Sequence, residues 1–226
     1  MENIDEFFRY FENKSKPYFN NCEHSLKHRS FDFYKENTKK RDSLFITYLI
    51  NSKQLYISNT INYNISIEEV NKILSYFIDI QNSNEIVTVK KLPNLKHKEI
   101  SDLEDKIFKL PNYSLKKEKN LLIVTDILLE YISKSVLTFF SEIQSVQDVN
   151  DKILNVLPWD KWSDYIPGKT YYKALIILKL VKSNQYESFY TMYYNRIKDF
   201  FDSGMTELSE FLDTLVKLKN YLDENY

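Results

Sequence analysis

The chain has 226 residues, and its 31 Lys and Arg side chains almost balance 32 Asp and Glu side chains. This near-neutral charge excludes a strong overall field that would draw the chain to nucleic acid or to an anionic membrane. A lone cysteine, Cys22, excludes an intrachain disulfide and a multi-cysteine zinc site.

The N-terminal third predicts one helix followed by a small antiparallel sheet. Residues 3–12 predict a short helix with Asn3 as its N-cap, because the apolar residues share one face. Residues 18–29 fit either a second short helix or a loop. From Ser30 the apolar residues alternate with a period of two, which predicts strands at 30–35, 43–50 and 54–61. Asn51-Ser52-Lys53 predicts the hairpin turn between the last two.

Two capping boxes predict the next helices, since a Ser N-cap and a Glu three residues later satisfy each other's backbone donors. The first box begins at Ser66 and predicts a helix that ends at 82–84, followed by a short strand at 85–90. The second box begins at Ser101, and its helix is predicted to stop before Pro111.

The C-terminal half predicts helices throughout. Its longest apolar-periodic run, residues 121–144, predicts the central core helix. Charged residues interrupt this run, so it lacks the ~18 uncharged apolar residues of a membrane span. Further helices are predicted at the ranges 146–157, 170–182, 186–201 and beyond Gly204.

These elements together predict an α+β fold, with a small antiparallel sheet and helices in the N-terminal half and an all-helical C-terminal half. The expected division is an α+β subdomain at 1–114 and a helical subdomain at 115–226, or one continuous domain. The first 14 residues lack the basic start and apolar core of a signal peptide, so we expect a cytoplasmic protein without a membrane partner.

Glycine occurs only at positions 168 and 204, which leaves no GxGxxG, GxxxxGK[ST] or GxSxG motif. These motifs need glycine because the backbone must adopt positive φ or approach a ligand closely. We therefore expect no cofactor and no catalytic residues, and interpret the chain as non-enzymatic.

The remaining candidates for metal binding or catalysis are the histidines, the cysteine and pairs of carboxylates. His24 and His28 would share a helix face and could bind a metal with a further ligand such as His97, but we expect no metal site. Cys22 would need one of these histidines as a base, and is interpreted as an ordinary cysteine. Three carboxylate pairs have helical spacing, which is also common on solvated faces: Asp126 and Glu130, Asp160 and Asp164, and Glu207 and Glu210.

Basic clusters provide the alternative function. Lysine and arginine gather at 39–41, at 90–91 with 96–98, and at 116–119. If these clusters lay on one face with stacking aromatics, they would bind phosphates. The alternative is therefore a nucleic-acid-binding accessory factor or a phage or mobile-element protein, and after it an enzyme that uses the scattered carboxylates.

The segment 159–165 is the most distinctive local feature, because it holds both tryptophans of the chain in a proline-bounded loop. Tryptophan and tyrosine are enriched at binding hot spots, although such aromatics also fill gaps between helical layers. We predict a partner-binding surface formed by Trp159, Asp160, Trp162, Asp164 and Tyr165.

The order of elements also resembles that of small α+β immunity-type proteins of bacterial polymorphic toxin systems. The resemblance rests on the leading helix, on SFDFYK, SLFITYLI and QLYISNTI, on the helix SIEEVNKIL, and on the helical tail KALIILKLVKSNQYESFYTMYYNRI. It implies a protein that binds and occludes a toxin or effector without catalytic residues. We therefore expect an intracellular module that neutralises or sequesters another protein.

Overall fold

The computed structural model describes residues 2–52, 54–79, 86–93 and 98–226. The chain forms two compact units, and each unit is built from two separate segments. The first unit comprises Met1–Ile65 and Pro93–Glu142, and the second comprises Ser66–Leu92 and Ile143–Tyr226. The chain passes from one unit to the other after residues 65, 92 and 142. The predicted division at residues 114 and 115, or a single continuous domain, stays a prediction.

The first unit contains a sheet and the helices that cover it. Its described strands run antiparallel in the order β1-β2-β3-β4, so the predicted α+β class is confirmed. Its elements are α1 (Glu2–Ser15), β1 (Asn21–Ser25), β2 (Ser30–Glu36), β3 (Lys40–Asn51), β4 (Gln54–Ile67, which reaches into the second unit), α3 (Lys98–Phe108), α4 (Glu118–Tyr131) and α5 (Leu137–Glu142).

Alternation along β2 sends aromatic side chains into the core of the first unit. Phe31 is opposite His24 of β1 and Ile46 of β3 in the antiparallel register. The Phe31 ring lies 6.0 Å from the ring of Phe7, and the Phe33 ring lies 5.1 Å from that of Phe11, both on α1. The apolar faces of α1 and the sheet thus bury each other, as their two periodicities predict.

The predicted central helix is present, since residues 118–142 are helical throughout. A π-helical segment, Ile132–Val136, separates α4 from α5. At the end of α5 the Lys40 ammonium donates a hydrogen bond to the carbonyl of Phe140 (2.7 Å) and lies 2.9 Å from Asp42. A cation at the carbonyl end of a helix is favourable, so Lys40 joins β3 to this helix.

Asn3 is not an N-cap, because α1 already begins at Glu2, and four further local predictions are wrong. Residues 21–25 are neither helix nor loop but strand β1. Ser66 is not an N-cap, because β4 continues through it and α2 (Glu68–Ser75) begins later and ends earlier than predicted. A distant side chain holds the backbone here instead, since the N–H of Ile67 donates to the Thr88 hydroxyl (2.9 Å). Ser101 lies inside α3 rather than at its start.

The fourth error is the strand at 85–90, within which only Val89 forms an isolated β-bridge among the described residues. Residues 86–90 are instead fixed by the second unit's helices. The ammonium of Lys173, which is 0 % exposed, donates to the carbonyls of Val87 and Pro167, each at 2.6 Å. The Lys90 N–H donates to the Tyr165 carbonyl (2.9 Å).

The second unit is helical in its described part. The predicted helices at 170–182 and 186–201 are confirmed, and no described helix is both long and apolar enough to cross a membrane. Beyond α2, its elements are α6 (Val146–Val149), the π-helical Asn150–Leu154, the 3₁₀ turn Trp159–Asp164, α7 (Thr170–Leu180), α8 (Tyr186–Asp202), the 3₁₀ turn Thr206–Leu208 and α9 (Ser209–Asn225).

Candidate protein-binding surface

The segment 159–165 forms a 3₁₀ turn whose two tryptophans have different environments. Trp162 is 2 % exposed, and its indole N–H donates to the carbonyl of Leu157 (3.0 Å). Its ring lies 4.9 Å from the ring of Phe189 on α8. Trp162 is therefore a core residue that fixes the turn against α8.

A stack of aromatic rings lies between α7 and α8, next to Trp162. The Phe189 ring is parallel to that of Tyr193 within 3°, at 6.0 Å, and Tyr193 lies 4.6 Å from Tyr171 of α7. Burial, with a smaller contribution from Tyr171, raises the pKa of Tyr193 to about 12. The stack is therefore uncharged at neutral pH, and it supports the ring of Trp159.

Trp159 packs against this aromatic stack and remains partly exposed. Its ring is 6.1 Å from Tyr171, and the guanidinium of Arg196 lies over it at 4.7 Å. Arg196 also lies 6.0 Å from the ring of Phe200, one turn further along α8, and Phe200 is 40 % exposed. We call Trp159, Arg196 and Phe200 the Trp159 surface.

The other predicted site residues occupy the edges of the turn. Asp160 and Asp164 are exposed, and Asp160 lies 4.0 Å from the ammonium of Lys161. Tyr165 is half-buried under the ammonium of Lys91 (4.9 Å), and its carbonyl anchors residues 86–90. Of the five predicted residues, Trp159 and Asp160 are therefore solvent-accessible next to one another, Asp164 is exposed at the end of the turn, and Trp162 and Tyr165 support the fold.

Sequence reasoning missed Arg196 and Phe200. Arg196 reaches Trp159 from more than thirty positions away and Phe200 adjoins Arg196, so both depend on how α8 packs beside the 3₁₀ turn. The available signal was their spacing of four residues, which places a cation and an aromatic ring on one face of a helix.

The cysteine environment disfavours nucleophilic catalysis. Burial is the largest effect on Cys22, and Glu12 beside it adds to that effect, so that the pKa of the thiol rises to about 11. Because the thiolate is the nucleophile, this thiol is poorly suited to attack a substrate at neutral pH.

The two histidines do not share a helix face. His24 is on β1, where its ring lies 4.8 Å from Phe31 and its Nε2 lies 3.3 Å from the Tyr48 hydroxyl. His28 is exposed in the turn that follows β1, and His97 lies outside the described residues. Within the described ranges, His, Cys, Asp and Glu side chains nowhere gather in a group of three that could hold a metal ion.

The carboxylate pairs lie on solvated helix faces. Glu130 binds the ammonium groups of Lys106 (2.8 Å) and Lys134 (3.1 Å), and these hydrogen bonds lower its pKa. Asp126 is exposed, as are Glu207 and Glu210. A lowered pKa is the opposite of what a general acid needs at neutral pH.

Two of the three cations in the first basic cluster are engaged within the fold. Lys40 is 5 % exposed and held by Asp42, while the Arg41 guanidinium stacks 3.8 Å over Tyr34 and pairs with Asp32 (3.3 Å). Lysines 39, 90, 91, 116, 117 and 119 are exposed, and residues 96 and 97 lie outside the described ranges. In the cluster at 39–41, Lys40 is therefore buried, Arg41 is half-buried in its ion pair, and Lys39 is exposed.

Comparison of the chain with protein-family models, with curated proteins and with solved structures gives no match. The assignment of function therefore rests on the geometry of the surface itself.

Proposed function

We propose that this chain is a non-enzymatic, intracellular protein-binding module that neutralises or sequesters a protein partner, in the manner of immunity-type proteins. The observation that carries the proposal is the Trp159 surface, where a partly exposed tryptophan packs beside the aromatic stack and one arginine lies near both its ring and that of an exposed phenylalanine.

The chemistry of these residues suits protein recognition. Binding energy in protein interfaces is concentrated in a few residues, among which Trp, Tyr and Arg are enriched. A tryptophan with only two side-chain torsions gives a large contact area for little loss of conformational entropy. Here Tyr171 and Arg196 already restrain the ring of Trp159, so less freedom is lost on binding.

The rim around the surface supplies polar groups of both signs. Asp160 and Lys161 lie next to Trp159 and are exposed. A polar rim around an apolar centre is the usual arrangement in a protein interface. The nucleic-acid alternative loses support because Lys40 and Arg41 are engaged within the fold.

The test is a tagged pull-down from the native host, followed by identification of the captured protein and reconstitution with the purified partner. Trp159→Ala with Arg196→Ala is the test variant. Val156→Ala is the matched control, because Val156 is an exposed apolar residue (53 %) of the same unit. Trp162→Ala is unsuitable because removing a buried tryptophan costs about 3–5 kcal/mol of stability.

We expect one stoichiometric protein that the test variant loses and the control retains. Capture of nucleic acid with a steep salt dependence would instead favour the accessory-factor alternative. Substrate turnover by the purified chain, abolished by a single substitution, would overturn the non-enzymatic assignment.

A further inference from the structure

The Trp159 surface continues into the corner where α8 ends and α9 begins. Gly204 adopts φ +109° and ends α8 in a Schellman motif, with hydrogen bonds from Met205 N–H to the Phe200 carbonyl (3.1 Å) and from Gly204 N–H to the Phe201 carbonyl (3.0 Å). In this motif the side chains at the positions of Phe200 and Met205 adjoin each other. The backbone therefore fixes their relative placement.

Large apolar side chains remain exposed at this corner. The exposed fractions are 40 % for Phe200, 46 % for Met205 and 38 % for Phe211. Phe211, near the start of α9, stacks on Tyr172 of α7 at 5.9 Å, with the ammonium of Lys169 5.6 Å from its ring. Exposed large apolar side chains with a polar rim mark interaction surfaces.

Carboxylates outnumber cations at the rim of the corner, where Arg196 and Lys169 lie near the rings of Phe200 and Phe211 and Lys198 pairs with Asp202. Residues 199–213 contain five carboxylates and neither Lys nor Arg. All five are exposed: Asp199, Asp202, Glu207, Glu210 and Asp213. We call these carboxylates, with Phe200, Met205 and Phe211, the acidic corner.

Helix stability explains only part of this charge. Glu207 and Glu210 lie at the N-terminal end of α9, where the helix dipole favours carboxylates. Asp199 and Asp202 lie in the last turn of α8, where the same dipole disfavours them. The ammonium of Lys198, 2.6 Å from Asp202, offsets part of that cost. Asp199 and Asp202 therefore call for a role other than helix stability.

We propose that the acidic corner binds a basic amphipathic segment of the partner protein. Apolar side chains of that segment would cover Phe200, Met205 and Phe211, and its Lys and Arg side chains would face the carboxylates. Charge complementarity favours this occupant over nucleic acid and anionic bilayers, because the carboxylates of the corner outnumber its cations. The inference deepens the proposed function and rests on it, because Phe200 belongs to both surfaces.

The test uses two labelled peptides of about 18 residues, or five helical turns. One peptide is an amphipathic helix of Lys and Leu, and the other replaces every Lys with Glu. Fluorescence anisotropy measures binding to the full chain at about 0.05 M and about 0.15 M salt, where screening differs. The test variants are Asp199→Asn with Asp202→Asn, and Phe200→Ser with Met205→Ser.

Glu68→Gln with Glu69→Gln is the matched control, because these carboxylates are exposed on α2 of the same unit. Urea unfolding verifies that each variant is folded. We expect the Lys peptide to bind at least about tenfold more tightly than the Glu peptide, and each test variant to weaken it at least about fivefold, while the control changes it less than about twofold.

The inference is overturned if the chain does not prefer the Lys peptide, or if the control weakens binding as much as the test variants. Its failure is distinguishable from failure of the proposed function. If the natural partner still requires Trp159 while the corner variants leave the Lys peptide unaffected, only the inference fails. If no protein partner depends on Trp159, the proposed function fails as well.

Discussion

Replacing Lys173 by Met should destabilise the second unit substantially. The Lys173 ammonium is 0 % exposed, and it donates hydrogen bonds of 2.6 Å to the carbonyls of Val87 and Pro167. These bonds hold residues 86–90 against α7. Methionine retains most of the volume of lysine but donates no hydrogen bond, so both carbonyls lose this donor.

The magnitude follows from two opposing effects. Each buried carbonyl that loses its donor costs about 1–3 kcal/mol, while removing a buried charge recovers part of its desolvation penalty. The carbonyls remain in place, so the loss should dominate, and we expect a decrease of about 2–4 kcal/mol in the free energy of unfolding. Lys179→Met on the same helix is the control, because Lys179 forms a partly exposed ion pair with Asp223 (2.7 Å), and such pairs contribute at most about 1 kcal/mol.

Urea unfolding followed by tryptophan fluorescence is the appropriate assay, since Trp159 and Trp162 both lie in the second unit and report its unfolding. The midpoint of Lys173→Met should fall well below those of the wild type and of Lys179→Met. Equal midpoints for the two variants would refute the argument that the buried ammonium anchors residues 86–90.

Three further predictions concern stability and reactivity. Burial raises the pKa of Asp32 from 3.8 to about 6 despite the opposing charge of Arg41, so its contribution to stability is full below pH 3.8 and is lost as pH rises through 6. Asp32→Asn should therefore raise the unfolding free energy at pH 7 by about 1–2 kcal/mol, after discounting for partial exposure, and by less at pH 4, as measured by urea unfolding. Trp162→Ala should lower the thermal midpoint sharply, because it costs about 3–5 kcal/mol of unfolding free energy, whereas Trp159→Ala should cost about 1 kcal/mol or less. Equal losses would contradict the difference in burial between the two tryptophans. Burial and Glu12 raise the pKa of the Cys22 thiol to about 11, so it should react with a disulfide reagent at pH 8 about tenfold more slowly in the folded protein than in urea, because the smaller thiolate fraction is partly offset by greater nucleophilicity; equal rates would contradict the raised pKa.

Helices with strong local periodicity were predictable from sequence. The pair at 170–182 and 186–201 follows from apolar spacing and from a polar turn at 183–185, both of which are local features. The hairpin turn between β3 and β4 was equally local, and Ser52 adopts φ 47° there, while Lys53 lies outside the described residues.

The errors arose where distant contacts override a local signal. Ser66 has the spacing of a capping box, but β4 extends through it and the Thr88 hydroxyl takes the Ile67 N–H. Residues 86–90 are rich in β-branched side chains, yet Lys173 and the Tyr165 carbonyl fix them as an irregular segment. Strand propensity depends on an available neighbouring strand, which the sequence alone does not identify.

The candidate surface was only partly predictable for the same reason. The density of Trp and Tyr in 159–165 indicated a special segment, but the contrast between Trp159 and Trp162 depends on α8. Phe189 packs against the buried indole of Trp162, whereas the indole of Trp159, with Arg196 over it, remains partly exposed. These contacts exist only once the helices have packed.

The affinity of the identified partner for the Trp159→Ala chain tests the central claim most directly. Titration calorimetry with the wild type, Trp159→Ala and the Val156→Ala control gives the comparison under identical conditions. A hot-spot tryptophan contributes about 2 kcal/mol or more, so we predict that Trp159→Ala weakens binding at least about thirtyfold while the control changes it less than about twofold. Unchanged affinity for the folded Trp159→Ala chain would contradict the account.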